Sequence, residues 1–256
     1  MDIIWACSYH ALPIHNNHAT ASETRTAISM NYEFDFSSVL AQWPVFLEGA
    51  WLTIQLSVPA TVLGLVLGTL FAIGRRSTLR SLSRFCGFYV EIVRNTPFLV
   101  QIFLVFFGMA SLGWRVPAFA AGLVALIINV AAYTCEIMRA GMDSVHPGQI
   151  EAAECLGLTK RQVYWHVILW PAMEKVYPAL TSQFVLLMLA SSITSQISVE
   201  ELTAVASRVQ SETFRPFEAY ILVAVVYLAL SLLMRVGLWG FGQLVFARRR
   251  RLKTTG

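Results

Sequence analysis

Charge is scarce in this chain, and its absence is organised. Charged residues make up 13% of the 256 positions and apolar residues 56%, against about 25% and about 45–50% in ordinary soluble domains. Mean hydropathy is +0.60. Residues 49–74, 95–114, 116–135 and 176–199 carry no charge at all, and 219–234 form a fifth such run, interrupted by Arg235 before it continues to Ala247. Each is close to the roughly 20 residues that cross a ~30 Å hydrocarbon layer. A soluble core that would bury five such helices has no room in a chain this short. The sequence therefore predicts an all-α integral membrane protein with five transmembrane helices, because lipid offers no partner to an unpaired backbone group.

Other absences exclude chemistry. There is no GxxxxGK[ST], nor even a Gly-Lys pair, so the chain cannot build a phosphate-cradling loop of its own. HExxH, GxSxG and paired hydrolytic acids are missing as well, which leaves no basis for an enzyme, a cofactor or a catalytic metal. The four cysteines (Cys7, Cys86, Cys135, Cys155) are scattered without CxxC spacing, arguing against a disulfide or zinc framework. Residues 1–29 are polar and contain His10, His15 and His18, but lack the basic and apolar regions of a signal peptide. Residues 1–34 are expected to be a disordered extension, with Met30 as an alternative start.

Most of the positive charges fall in three clusters, with only Arg25, Arg115, Arg208 and Arg215 in the intervening segments. Arg75, Arg76, Arg80 and Arg84 form the first; Arg139, Lys160, Arg161 and Lys175 the second; residues 248–251 with Lys253, in a basic tail at 248–256, the third. The positive-inside rule then predicts an outside N-terminus and a cytoplasmic C-terminus, consistent with an odd number of spans. The net charge of +4 sits where anionic lipid headgroups and topology call for it, without a nucleic-acid partner.

Polar residues within the apolar runs are the candidates for function. Residues 38–48 read as an amphipathic segment at the outer interface, with Trp43 and Trp51 as anchors. Gly64 and Gly68 form a GxxxG pattern that suits either a helix interface or a lipid-facing surface. Glu91 and Arg94 are three apart and can pair on a helix, Pro97 invites a kink, and Gln101 falls near mid-span. A polar group at that depth faces a cavity or bonds a neighbouring helix. Ser191, Ser195 and Ser198 share one face at helical spacing, a face that lines a water-filled path, with tight helix packing as the alternative.

The longest polar stretch between runs, about 139–175, has its own signals. Pro147 suits the first turn of a helix and Gly157 its end. Thr159 and Gln162 have capping-box spacing and start a second helix through Leu169. By themselves these features fit an interfacial helix as well as a docking helix.

Glu151-Ala152-Ala153 with Gly157, then Val167 and Leu169, resembles the EAA loop of bacterial ABC importer permeases, although Trp170 stands where that pattern has proline and Pro171 follows it. Arg94-Asn95-Thr96-Pro97-Phe98-Leu99-Val100-Gln101 resembles the Arg-Gly-Thr-Pro-Leu-Leu-Val-Gln of the polar amino-acid subfamily, as does Gly49-Ala-Trp-Leu-Thr-Ile-Gln-Leu-Ser at the first span. The resemblance covers about residues 35–247. It implies a type I ABC importer permease fold with the N-terminus out and the C-terminus in, in the bacterial inner membrane. ATPase coupling would fall to Glu151, Ala152, Ala153, Gly157 and Leu158. The substrate path would run past Thr96, Gln101, Ser191, Ser192 and Ser195, with structural roles for Glu91, Arg94, Pro97 and Pro171. The implied partners are separate ATPase subunits that use ATP, a second permease protomer, an extracytoplasmic solute-binding protein and the lipid bilayer. The implied cargo is a polar amino acid. An ion-coupled secondary transporter and a permease for another solute are the alternatives. One departure bears on cargo: the family's Lys-Asp is Leu189-Ala190 here, so this protomer does not supply that charged pair.

Overall fold

The computed structural model describes residues 32–246, and a division after Phe34 separates the first of these from the unit that begins at Asp35. The helices all belong to that second unit. The expectations for residues 1–31, Met30 included, and for the basic tail 248–256 fall outside the described residues. Among the described residues there are helices and no strands: α1 (Ser37–Leu40), α2 (Trp43–Arg75), α3 (Arg80–Arg94), α4 (Phe98–Ser111), α5 (Ala118–Asp143), α6 (Pro147–Cys155), α7 (Lys160–Gln162), a π-helical segment (Val163–Leu169), α8 (Trp170–Ala190), a 3₁₀ segment (Ser191–Ile197), α9 (Leu202–Thr213) and α10 (Pro216–Val245). Four stretches are long and apolar enough to cross a membrane, and the bent pair α3–α4 makes a fifth if taken together.

Packing of α2 on α5 is the centre of the unit. A Cβ added to Gly68 would lie 2.6 Å from both the Ala131 carbonyl oxygen and Thr134 Cβ, and one on Gly64 would collide with Val130 Cγ1. Only bare backbone permits that approach, so the GxxxG pair is a helix interface. Helix α2 starts at Trp43, so most of the segment expected to lie separately at the interface forms its first turns. Pro44 sits where a helix needs no N–H, which is why the chain can enter the helix that early.

The second span is broken. Helices α3 and α4 meet at 109°, and α4 alone, 14 residues, reaches only about 21 Å. Thr96 precedes Pro97 and is steered away from helical geometry, while Pro97 is extended with φ −61° and ψ 140°. On α3, Leu82, Phe85, Phe88 and Ile92 are exposed at three-to-four-residue spacing, with Cys86, Val90 and Val93 buried behind them. That is a stripe for lipid on one side and a packing face on the other.

Two further features depart from the sequence reading. The helix that starts after Thr159 does not stop at Leu169 but belongs to a 38-residue helical stretch, Lys160–Ile197. Pro171 lies in its path, at the start of α8, and costs little there: the preceding π turn has already shifted hydrogen bonding from i−4 to i−5. Between the fourth and fifth spans lies α9, a polar helix that the sequence did not announce. Its Val205 and Val209 form a second apolar cluster with Phe46, Ala50 and Ala219.

A Gly68→Val substitution should force α2 off α5 and cost about 1–3 kcal/mol, read as a lower melting temperature in detergent. Gly108, whose Cβ would meet nothing within 4 Å, is the matched control: Gly108→Ala should leave the melt unchanged. Equal melts for both variants would contradict the interface.

Candidate functional site

At one end of the α2–α5 pair, the Glu136 carboxylate gathers arginines from three helices. Arg75 of α2 donates to its Oε1, Arg139 of α5 lies 2.9 Å from its Oε2, and Arg94 of α3 lies 3.8 Å from the same atom. Asp143, one turn beyond Arg139, takes Arg76 and Arg139 at 2.8 Å each. The pairing of Arg94 with Glu91 expected from their spacing is not made: Glu91 binds Asn95 Nδ2 at 3.2 Å. Arg94 instead turns inward to Glu136 and rests 5.5 Å from the Tyr133 ring centre. A carboxylate shielded from water on a neighbouring helix offers more than an exposed one on the same turn.

The polar elbow leaves this charged end directly. His146 caps α6, its Nδ1 accepting from Gly148 N at 3.1 Å, and Pro147 is the first residue. Helix α6 closes with Gly157 N on Glu154 O at 2.9 Å and Leu158 N on Ala153 O at 3.2 Å, the two bonds of a Schellman stop. Gly157 has φ +77°, a left-handed conformation that a Cβ would strain. Two residues on, the Thr159–Gln162 capping box is formed in both directions, so the next helix starts at once. Of the residues expected to couple to a partner, Ala153 is 6% exposed and packs inward, whereas Glu151, Ala152 and Gly157 face out and Leu158 is half-buried. Leu156, at the tip, is 80% exposed. Sequence reasoning passed over it, although an apolar residue between a helix end and a glycine stop was the available signal.

Gln101 sits across the α3–α4 break. Its Nε2 donates to Val93 O at 2.7 Å and Thr96 O at 2.9 Å, and its Oε1 accepts from Asn129 Nδ2 at 2.9 Å. The break orphans those carbonyls, and in lipid an orphan is expensive. One buried amide satisfies them and ties the hinge to α5. Asn129 was not among the predicted residues. Thr96 itself is exposed and donates back to Ile92 O at 2.9 Å.

Helix α4 packs against the 3₁₀ segment, and there the expected serine face changes. A 3₁₀ helix repeats every three residues, so Ser191, Thr194 and Ile197 share the buried side. Ser192, Ser195 and Ser198 share the accessible one. The face drawn through Ser191, Ser195 and Ser198 assumed α periodicity and does not exist. Ser198 ends the segment at φ +65°, which a non-glycine residue seldom adopts.

Beyond it lies a buried acid the sequence reading missed. Glu201 is 0% exposed and caps α9, its Oε1 accepting from Thr203 N at 2.9 Å and Ala204 N at 3.1 Å while its Oε2 accepts from Tyr227 Oη at 2.6 Å. Burial pushes its carboxyl above the usual range, against the pull of those hydrogen bonds. An acid directly before an amphipathic run was the cue. Nothing in these arrangements activates a nucleophile, and among the described residues no three metal-type ligands converge. They can bind polar groups and transmit movement.

Comparison with known proteins is consistent with that. Residues 61–238 match the family model "Binding-protein-dependent transport system inner membrane component". The chain is 32% identical to the "Arginine transport system permease protein ArtQ" of Bacillus subtilis (strain 168), covering 78% of this chain and 92% of that one. It is 36% identical to the "Probable glutamine ABC transporter permease protein GlnM" of the same organism, over 78% and 93%. Among solved structures it is similar to the "Crystal structure of an amino acid ABC transporter with histidines", with TM-score 0.76, 36% identity, and 84% and 100% of the two chains covered. A methionine ABC transporter in an inward-facing form matches at TM-score 0.67 and 19% identity, over 80% and 98%, and supports the fold alone.

Because the folded state raises the Glu201 pKa, its burial penalty is absent below the unfolded value of about 4.3 and grows as pH climbs through the raised folded value. Glu201→Gln keeps the cap and removes that penalty. Its melting temperature relative to the native chain should therefore rise with pH between acid and neutral; a constant gap would contradict the assignment. Glu201→Ala loses the cap and should cost about 0.5–2 kcal/mol at acid pH, a gap that narrows toward neutral pH as the native chain takes on the burial penalty.

Proposed function

Since the chain belongs to the family of binding-protein-dependent transport system inner membrane components, we propose that it carries a polar amino acid across a bacterial inner membrane as the permease subunit of an ATP-driven importer, by alternating access. It is an ABC importer permease of the amino-acid type, and several of its helices are long and apolar enough to cross a membrane. In the orientation we adopt, the charged end and the elbow are cytoplasmic and the 3₁₀ segment with α9 faces outward. Separate ATPase subunits hydrolyse ATP and grip the elbow, a second permease protomer completes the path, and a solute-binding protein delivers cargo from outside.

One observation carries the coupling role: the capped elbow is joined to the 3₁₀ segment by the unbroken helical stretch Lys160–Ile197. A displacement of Glu151, Ala152, Leu156 and Gly157 by closing ATPases crosses one tight, capped turn and then reaches the far side through a single lever. The Glu136 cluster makes α2, α3 and α5 follow as a body. Discrete elements that hold two positions are what let binding on one face alter access on the other. Along the path, Ser192 and Ser195 offer hydroxyl oxygens in place of water, while Gln101 keeps the hinge of the second span closed and polar-satisfied beside them.

Gly157→Val should leave the protein inserted and assembled with its ATPase but lower ATP-driven amino-acid uptake by roughly tenfold or more, since a β-branched residue resists φ +77°. Uptake at the native rate in proteoliposomes would remove the elbow from the mechanism. Gln101→Leu should leave the hinge carbonyls unpaired at about 1–3 kcal/mol, reducing both melting temperature and uptake. Native behaviour in both assays would refute the hinge role.

A further inference from the structure

Two cavities adjoin on the outer side of the 3₁₀ segment, and Arg208 of α9 lines both. The smaller, about 170 Å³, is also lined by Ser198 and Glu200. The larger, about 430 Å³, is lined by Ser195 and Gln196 of the 3₁₀ segment, Thr203, Ser207 and Ser211 of α9, and Tyr220 of α10. Glu200 and Arg208 border one small space, yet among the described residues neither has an ion pair with the other or with anything else. Opposite charges that share a cavity without closing on each other leave room for a ligand that carries both signs.

The walls of the larger cavity are polar and nearly free of charge. Thr203, Ser207 and Ser211 recur every fourth residue and so face one way on α9. Ser195 donates its hydroxyl proton to Ser192 O at 2.7 Å and Ser211 to Ser207 O at 2.9 Å, which leaves their oxygens as acceptors toward the cavity. Gln196 and Ser207 spend no side-chain hydrogen bond on other described residues. No acid lines this space, so a second positive charge on a ligand would find no counter-charge there. The floor is fixed: Thr203 Oγ1 and Tyr227 Oη lie 3.1 Å apart, and Tyr227 holds the buried Glu201. The left-handed backbone at Ser198 (φ +65°) turns the chain so that the 3₁₀ segment and α9 face each other across the gap, and strained backbone of this kind clusters at binding sites.

Resting on the permease reading above, we propose that Arg208 and Glu200 form a clamp for the carboxylate and ammonium of a free α-amino acid, and that the adjoining cavity takes an uncharged hydrogen-bonding side chain such as an amide. Guanidinium and carboxylate are the groups suited to these two ends.

The test uses the purified permease–ATPase complex without the solute-binding protein, titrated with radiolabelled L-glutamine and L-arginine. The native complex should bind L-glutamine more tightly than L-arginine, and blocking the α-carboxyl of glutamine as its amide should abolish binding. Arg208→Gln and Glu200→Gln should each weaken glutamine binding roughly tenfold to hundredfold, the loss of a charge-assisted hydrogen bond, with native melting temperatures because both side chains are exposed. Arg208→Lys should recover part of the affinity. Native glutamine affinity in both neutralised variants overturns the clamp. Tighter binding of L-arginine overturns the side-chain assignment, and native glutamine affinity in the variants together with weaker capture of separately added solute-binding protein would make this a docking surface instead. Failure of the native complex, with its binding protein restored, to drive ATP-dependent uptake of any amino acid would count against the permease reading, independently of the clamp.

Discussion

One carboxylate holds three helices in register. Glu136, within α5, sits beside the ends of α2 and α3, and it draws an arginine from each of the three helices. The geometry is forced by the solvent. Four guanidinium groups gather around two acids, and Glu136, the most shielded of the six at 18% exposure, is the group that water screens least. The low-energy arrangement is a shared network, not separate pairs. Because α3 bends away immediately after Arg94, this network also fixes the base of the hinge that Gln101 closes from above. The close α2–α5 approach through Gly64 and Gly68 then runs from this anchored end toward the opposite face.

Local grammar was legible in the sequence where it concerns starts and stops of helices, but not for Arg94, which leaves its neighbour Glu91 for Glu136 on another helix. The stop at Gly157, the start at Thr159 and Gln162, the disturbance at Pro97 and the long uncharged runs all obey rules acting within a few residues. The features that stayed hidden were long-range or emergent. Arg75 and Glu136 are 61 positions apart, Asn129 and Gln101 28 apart, and Leu202 N reaches Thr53 Oγ1 across 149. No spacing rule finds such pairs. Helix α9 was missed because a short polar helix owes its stability to the surface it packs on, not to its own propensity. The serine face was misdrawn because nothing in Ser191-Ser192-Ile193-Thr194 declares a change from 3.6 to 3 residues per turn.

The two ends of the chain's machinery differ in how they are built. The elbow presents shape: small residues, a glycine stop and one protruding leucine. Toward the 3₁₀ segment the surface is polar instead: hydroxyl oxygens with acceptor capacity left over, the Gln196 amide, and the charges of Glu200 and Arg208. On the reading proposed above, the contrast separates a surface that is pushed from a surface that recognises.

The 3₁₀ segment also bears on length. Its seven residues rise at about 2.0 Å each, where an α-helix would rise at about 1.5 Å. Rewinding them would shorten that strut by roughly 3.5 Å and rotate the chain on its far side by about 140°. Such a segment is a screw thread set into an otherwise rigid rod: axial push at one end can be taken up as advance and turn at the other, without any helix unfolding and without lipid ever meeting a bare amide.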